Sequence, residues 1–87
     1  MAGDDGRDPR LDPLAAAVRA RRRALALRQG EVADLAGCSE RFVHMLEHGK
    51  PTVQLVKVLD VLEVLGLGLL VHPGHGDIDW PEGRGPA

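Results

Sequence analysis

Five side chains with hydrogen-bonding or polarisable groups cluster in one short stretch of the chain, at Ser39, Glu40, Arg41, His44 and Met45. The guanidinium of Arg41 can donate two parallel hydrogen bonds, which fits the paired acceptors on the major-groove edge of guanine. The carboxylate of Glu40 can accept from the amino group of cytosine, or it could instead cap a helix start or orient Arg41. This combination of groups is suited to reading the edges of nucleic-acid bases.

A second set of residues carries groups suited to binding phosphate, namely Arg23, Arg28, Gln29 and Lys50. Gln29 is expected to open a helix, and the free backbone N–H groups at a helix start bind anions. Contacts of this kind fix the register of a protein on a duplex and make binding depend steeply on salt. Phosphate contacts do not distinguish one base sequence from another.

The sequence offers no arrangement typical of an enzyme. It contains no acid–base pair, no nucleophile beside a base and no glycine-rich phosphate loop after a strand. His72 and His75 lack a further metal ligand in a suitable pattern. We therefore expect neither catalysis nor a bound metal or cofactor.

Two short helices joined by a tight turn are predicted between Gln29 and Lys50. Gly37 ends the first, because glycine adopts the left-handed conformation without steric cost, and Ser39 can cap the second. Gly49 and Pro51 then end the second helix. This spacing predicts a helix-turn-helix, whose second helix usually enters the DNA major groove. Short helix pairs with a glycine turn also occur in small helical proteins that never touch DNA.

A preceding helix is predicted from Leu14 to about Leu27, with Leu14, Val18 and Leu25 on one side. Arg22 lies four residues after Val18 and therefore close to the apolar stripe. An arginine there needs a counter-charge, and Glu47 at the end of the second motif helix is the best candidate. We expect Arg22 and Glu47 to form an ion pair that fixes these two helices against each other.

Charge is distributed unevenly along the 87 residues, although the net charge is only −2. Residues 14–58 hold eight lysines and arginines against four acids, whereas the segments on either side are acidic. A basic middle between acidic ends is expected where one face meets phosphate. A solvated arginine run on the first helix would give the same pattern.

A fourth helix is predicted from Thr52 to about Leu65, with Leu55, Val58, Leu59, Leu62 and Leu65 facing inward. It is too apolar for the surface of a monomer. Leu67–His72 is predicted as a short strand that pairs with its copy across a twofold dimer, the alternative being an irregular tail packed on this helix. The predicted dimer interface consists of Val61, Val64, Leu67, Leu69, Leu70 and Val71.

The chain divides by composition into a disordered arm at residues 1–12, a DNA-binding and dimerisation domain at 13–72 and a flexible acidic tail at 73–87. Trp80 in the tail could anchor a partner or fold back on its own dimer. No apolar run is long enough to span a membrane, and no secretory signal is present. We expect a cytoplasmic location.

The span from Val18 to Val71 resembles the lambda-repressor-like, or Xre-type, helix-turn-helix regulators. The resemblance is carried by VRARR in the first helix, LRQ before the second, ADLAGCS across the turn and EHGK at its exit. More narrowly, RFVHMLEHGKPTV followed by VLDVLEVLGLGLLV looks like the HipB-type antitoxins. Arg28, where the family usually has a hydroxyl residue, and Gly30 depart from the pattern.

This resemblance implies an all-α bundle of four to five helices with a short C-terminal strand that pairs across a dimer. It also implies a dimer that binds double-stranded operator DNA, represses its own operon and holds a HipA-like serine/threonine kinase toxin inactive. Because tryptophan is enriched at binding hot spots, Trp80 is the expected toxin contact in that case. Two alternatives are a free-standing regulator without a toxin and an interaction module that no longer binds DNA.

Overall fold

The computed structural model describes residues 6–79, and all of its regular structure in that range is helical. Four α-helices follow in order: α1 at Asp12–Ala24, α2 at Gln29–Ala36, α3 at Glu40–Glu47 and α4 at Leu55–Leu65. α2 packs against α3 and α4, and α1 also contacts both of them. The predicted helical bundle is confirmed at this level.

All four helices contribute to one hydrophobic core. Each side chain that is buried this way contributes about 1.5–3 kcal/mol relative to an exposed one. Because the core draws on every helix, it fixes the placement of α2 and α3 on α1 and α4. The most deeply buried apolar residues are Val18, Val32, Val43, Leu46, Val58, Val61, Leu62 and Leu65.

The turn between α2 and α3 has the local chemistry predicted for it. Gly37 follows α2 in the left-handed conformation, with φ of 73°. Ser39 is the N-cap of α3, and its hydroxyl accepts a hydrogen bond from the N–H of Phe42 at 3.0 Å. These two residues determine where α2 ends and α3 begins.

The end of α1 differs from the prediction, which extended this helix to about Leu27. α1 ends at Ala24 because Ala26 adopts a left-handed conformation, with φ of 58°. The N–H of Leu27 then bonds back to the carbonyl of Arg22 at 3.1 Å. The same kind of reversal ends the other three helices, where the left-handed residues are Gly37, Gly49 and Gly66.

Part of the N-terminal segment that was expected to be disordered is structured. A single 3-10 turn at Pro9–Leu11 precedes α1, and the carboxylate of Asp8 caps it by accepting from the N–H of Arg10 at 2.9 Å. The backbone N–H of Asp8 also donates to the carbonyl of Gly49 at 2.9 Å. Composition alone did not reveal this contact, because the partner lies some forty residues further along the chain.

The predicted inward face of α4 is confirmed at Val58, Leu62 and Leu65 but not at Leu55 and Leu59. Val58, Val61, Leu62 and Leu65 face the core, whereas the side chains of Leu55 and Leu59 are 63% and 44% exposed. Val61, which was predicted to lie in a dimer interface, is completely buried within its own chain and unavailable to a second subunit. Both sides of this helix are apolar, so helical periodicity alone could not select the buried one.

Residues 67–79 follow α4 without regular secondary structure. Val64 at the end of α4 and Leu67 are partly buried against the core, while Leu69, Leu70 and Val71 are exposed. The strand predicted at Leu67–His72 is therefore not present in this single chain, and its pairing across a dimer stays a prediction. Within residues 6–79, no helix is both long enough and apolar enough to cross a membrane.

Candidate nucleic-acid interface

A buried ion pair joins the last turn of α1 to the end of α3, as the sequence predicts. The Nε of Arg22 lies 2.5 Å from Oε2 of Glu47, and Nη2 lies 2.9 Å from Oε1. The two side chains are only 12% and 2% exposed. Arg22 also donates to the carbonyl of Leu27 at 3.0 Å, which holds the loop that leads into α2.

Glu47 is bonded to the start of α2 as well. The side-chain nitrogen of Gln29, the first residue of α2, donates to Oε1 of Glu47 at 3.0 Å. Gln29 was predicted to hold a phosphate, and the structure instead engages its amide in this buried network. Arg22, Glu47 and Gln29 therefore fix the mutual position of α1, α2 and α3.

The network also controls the ionisation of Glu47. Burial raises the pKa of this carboxyl, but hydrogen bonds from Arg22 and Gln29 and the positive charge of Arg22 outweigh that effect. The net result is a pKa below the usual value, while the hydrogen bond with Glu47 raises the pKa of Arg22. Glu47 is thus a carboxylate at neutral pH, and the pair stays charged.

Two further arginines of α1 bond to the carbonyl ends of other helices. Arg19 donates to the carbonyl of Glu47 at 2.8 Å, and Arg21 donates to the carbonyl of Leu65 at 2.8 Å. A cation at a helix C-terminus bonds to otherwise unpaired carbonyls and interacts favourably with the helix dipole. The arginine run of α1 is therefore mainly structural, and only Arg23 of the four has no side-chain partner within residues 6–79.

α3 presents a polar outer surface opposite its buried side. Glu40, Arg41 and His44 are exposed and Met45 is half-buried, whereas Phe42, Val43, Leu46 and Glu47 face the interior. The side chains of Glu40 and Arg41 have no ion pair or hydrogen bond to the described part of the chain. Arg41 is therefore not oriented by Glu40, which removes one of the three roles considered for that glutamate.

His48, which the sequence analysis did not select, extends this surface by one turn. Its ring lies 4.0 Å from that of His44 between centroids, and its Nδ1 is 2.7 Å from the carbonyl of His44. The spacing of four residues between two histidines on one helix was the signal that could have identified it. The two exposed imidazoles form one unit at the C-terminal end of α3, with their ring planes tilted by 31°.

A groove lies beside the exposed side of α3. The residues that line it are Arg41 and Met45 of α3, Lys50, Pro51 and Thr52 of the following loop, and Gly6 of the N-terminal segment. Lys50, a predicted phosphate contact, is thus beside two predicted base-reading residues. Pro51 and Thr52 also line this groove. The sequence indicated only a turn at these two residues, so they were not selected as functional.

The start of α2 lies beside the start of α3. Arg28 is the N-cap of α2, its side chain is 88% exposed, and its backbone N–H donates to the carboxylate of Glu31 at 2.8 Å. Gly30 is close to the carboxylate of Glu40. Arg28 and Glu40, predicted to contact phosphate and base respectively, are therefore presented by neighbouring helix starts.

A family model described as a helix-turn-helix domain matches residues 13–71, which includes all four helices except the first residue of α1. The chain belongs to the helix-turn-helix family. An HTH-type transcriptional regulator of Sinorhizobium fredii, y4mF, is 47% identical over 63 residues, which are 71% of this chain and 83% of the relative. The chain of 87 residues is therefore itself a transcriptional regulator with a helix-turn-helix domain.

Two solved structures share the fold. The restriction-modification controller protein C.AhdI from Aeromonas hydrophila superposes with a TM-score of 0.64 at 28% identity, over 70% of this chain and 92% of that one. A chain of a HipA-HipB-O2-O3 complex superposes with a TM-score of 0.67 at 20% identity, over 75% and 92% of the two chains. The second likeness concerns the fold alone.

Proposed function

We propose that this regulator is a sequence-specific DNA-binding repressor that reads operator bases with α3. The observation that carries the proposal is that Arg41 and Glu40 are exposed on α3 without a partner in residues 6–79, while the opposite side of α3 is locked into the fold. Polar side chains held on a rigid helix at this position can enter the major groove. Ser39, His44 and Met45 complete the proposed base-reading set.

Phosphate contacts in this proposal come from Arg23, Arg28 and Lys50, together with the start of α2 at Gln29. Arg23 and Arg28 are exposed, and Lys50 lines the groove beside Arg41. The amide of Gln29 is bonded to Glu47, so its contribution includes the N–H groups at the helix start. Such contacts make binding fall steeply as salt increases.

Binding of the purified protein to its own promoter DNA, compared with scrambled DNA over a range of salt concentrations, tests this function. Arg41→Ala should relax the choice of base at one position and lower the affinity for the preferred sequence by about 1–3 kcal/mol. Arg28→Ala is the matched comparison, since it should weaken binding to both DNAs equally and reduce the salt slope by about 1. Equal and weak binding of the wild-type protein to both DNAs would contradict the proposal and favour an interaction module that does not bind DNA.

We infer further that the regulator is a homodimer. Leu69, Leu70 and Val71 expose apolar side chains after α4, and Leu55 and Leu59 add exposed leucines on α4 itself. Exposed apolar surface of this kind is typical of an interaction site. Dimers of this fold contact two half-sites about 34 Å apart, which would give a twofold-symmetric operator.

The most specific form of the proposal is that this dimer is a HipB-like antitoxin, which represses its own operon and neutralises a HipA-like serine/threonine kinase. The motifs RFVHMLEHGKPTV and VLDVLEVLGLGLLV support it, as does the shared fold with a chain of a HipA-HipB complex. Trp80, the proposed toxin contact, lies outside the described residues. A free-standing regulator is the second candidate, because the likeness to a restriction-modification controller protein is of similar quality.

Co-purification with a kinase-like protein encoded beside the regulator separates these two candidates. For an antitoxin, Trp80→Ala should weaken capture of the kinase and leave the affinity for promoter DNA unchanged. Arg41→Ala serves as the reciprocal control, since it should weaken DNA binding and leave capture of the kinase intact. If the wild-type protein binds its promoter but captures no kinase, the regulator is free-standing.

A further inference from the structure

Gly30, the second residue of α2, is a glycine that neither the backbone nor the core explains. Glycine inside a helix destabilises it by roughly 1 kcal/mol relative to alanine. The glycines with left-handed φ values are at other positions, so Gly30 is in a conformation that alanine adopts readily. Its place in the chain therefore calls for a steric or functional reason.

The surroundings of Gly30 provide one. A Cβ built on this residue would lie 3.4 Å from Oε1 and 3.6 Å from Cδ of Glu40. Apart from α2 itself, no other atom of the described residues is within 4 Å of that position. Gly30 thus faces the carboxylate of one residue, and that residue is the first of α3.

Glu40 has no competing role in the fold. Ser39 caps α3, so the carboxylate of Glu40 is not needed for that purpose, and it has no hydrogen bond or ion pair to residues 6–79. Its side chain is exposed beside the start of α2. An alanine at position 30 would place its methyl group in van der Waals contact with this carboxylate, whereas glycine leaves that side of it open.

We propose that Gly30 is a specificity-positioning residue, which leaves the carboxylate of Glu40 uncovered so that it accepts a hydrogen bond from the amino group of a cytosine. The amino groups of cytosine and adenine are both donors in the major groove. Glutamate is typically paired with cytosine N4, because the N7 acceptor beside the amino group of adenine repels a carboxylate. The inference rests on the proposed function, because it requires that α3 reads bases. It adds the base that Glu40 selects and the residue in α2 that enables the selection.

Selection of preferred sequences from a pool of randomised DNA duplexes tests the proposal. The wild-type protein should select a motif with a cytosine at one position, and Glu40→Ala should lose that preference. Gly30→Ala should reduce the preference at the same base pair by roughly fivefold, within the range that one base contact supplies. The thermal midpoint of Gly30→Ala should not fall, because alanine favours the helix.

Leu35→Ala is the control, since Leu35 also lies on α2 and is 66% exposed, outside both the proposed DNA-contact residues and the proposed dimer interface. Its base preferences should equal those of the wild-type protein. Gly30→Ala should also have no further effect when combined with Glu40→Ala, because the carboxylate that it disturbs is then missing.

Three results would overturn the proposal. If Gly30→Ala weakens binding to all sequences equally, with or without Glu40, then Gly30 serves the approach of a phosphate. If Glu40→Ala lowers the thermal midpoint and leaves base preferences unchanged, then Glu40 stabilises the start of α2. A wild-type protein that selects no sequence would remove the proposed function itself, which distinguishes that failure from the other two.

Discussion

At the level of single residues, the side chain of Glu47 accepts hydrogen bonds from α1 and α2 while standing at the end of α3. The carbonyl of the same residue accepts from Arg19. A buried carboxylate is stable only when it is paired and hydrogen-bonded, and here both oxygens are satisfied. The position of α3, the helix proposed to read bases, therefore depends on one ionised group.

Glu47→Gln should destabilise the protein at neutral pH by about 3–5 kcal/mol, because it leaves the guanidinium of Arg22 buried without a counter-charge. The pKa of Glu47 is lower in the folded protein than its usual value of 4.5. Its stabilising contribution is therefore complete above about pH 4.5 and is lost as the pH falls through the lower folded-state value. Urea unfolding followed by circular dichroism at pH 7 and at pH 3.5 measures both effects.

Glu63→Gln provides the control for this measurement, since Glu63 is exposed on α4 and its side chain has no partner among the described residues. It should match the wild-type stability within about 0.5 kcal/mol. If Glu47→Gln itself does not fold, the double variant Arg22→Met with Glu47→Leu should recover stability, because it removes both buried charges. A Glu47→Gln protein as stable as the wild type at pH 7 would contradict the proposed role of the pair.

The sequence predicted the Arg22–Glu47 pair because an arginine beside an apolar stripe must find a carboxylate. It could not predict that Arg19 and Arg21 bond to the ends of α3 and α4. Those partners are backbone carbonyls 28 and 44 residues away, and no side-chain pattern marks them. The contact between Gly30 and Glu40 could not be predicted either, because only the fold brings these two residues together.

At the level of elements, the end of α1 is where the local conformation conflicts with the residue type. A left-handed glycine follows each of the other three helices, whereas the left-handed residue after α1 is Ala26, with φ of 58°. The left-handed conformation costs roughly 1–2 kcal/mol for a residue with a Cβ. Ala26→Gly should therefore stabilise the protein by about 1 kcal/mol, although added freedom of the unfolded chain offsets part of the gain.

Thermal unfolding of Ala26→Gly measures this gain as a higher midpoint. Ala24→Gly is the matched control, because it also replaces alanine by glycine. Ala24 is the last residue of α1 and has a right-handed conformation. There the midpoint should fall, as expected for glycine in a helix. A decrease in both variants would mean that the left-handed turn after α1 is not strained.

Elements were predictable from the sequence where a local signal defines them. Gly37 and Ser39 placed the turn between α2 and α3 correctly because stop and cap chemistry involves only neighbouring residues. The predicted buried side of α4 was right at Val58, Leu62 and Leu65 and wrong at Leu55 and Leu59. Apolar residues lie on more than one side of the helix, so their spacing did not show that Val61 is buried instead. The 3-10 turn at Pro9–Leu11 was missed because its anchor is the carbonyl of Gly49.

At the level of the whole molecule, the apolar segment after α4 remains uncovered in a single chain. Leu70 and Val71 are 80% and 93% exposed, and Leu69 is 45% exposed. Exposing apolar surface to water is unfavourable by about 25 cal/mol per Å². A second copy that covers this segment would remove that penalty.

The double variant Leu70→Asp with Val71→Asp should dissociate the proposed dimer, because two carboxylates cannot be buried unpaired in an apolar interface. Sedimentation equilibrium should give the mass of a dimer for the wild-type protein and about 9.3 kDa for the variant. Leu35→Asp is the matched control, since Leu35 on α2 is 66% exposed but lies outside the proposed interface. A wild-type protein with the mass of one chain would contradict the dimer, and a dimer that both variants preserve would move the interface away from the segment after α4.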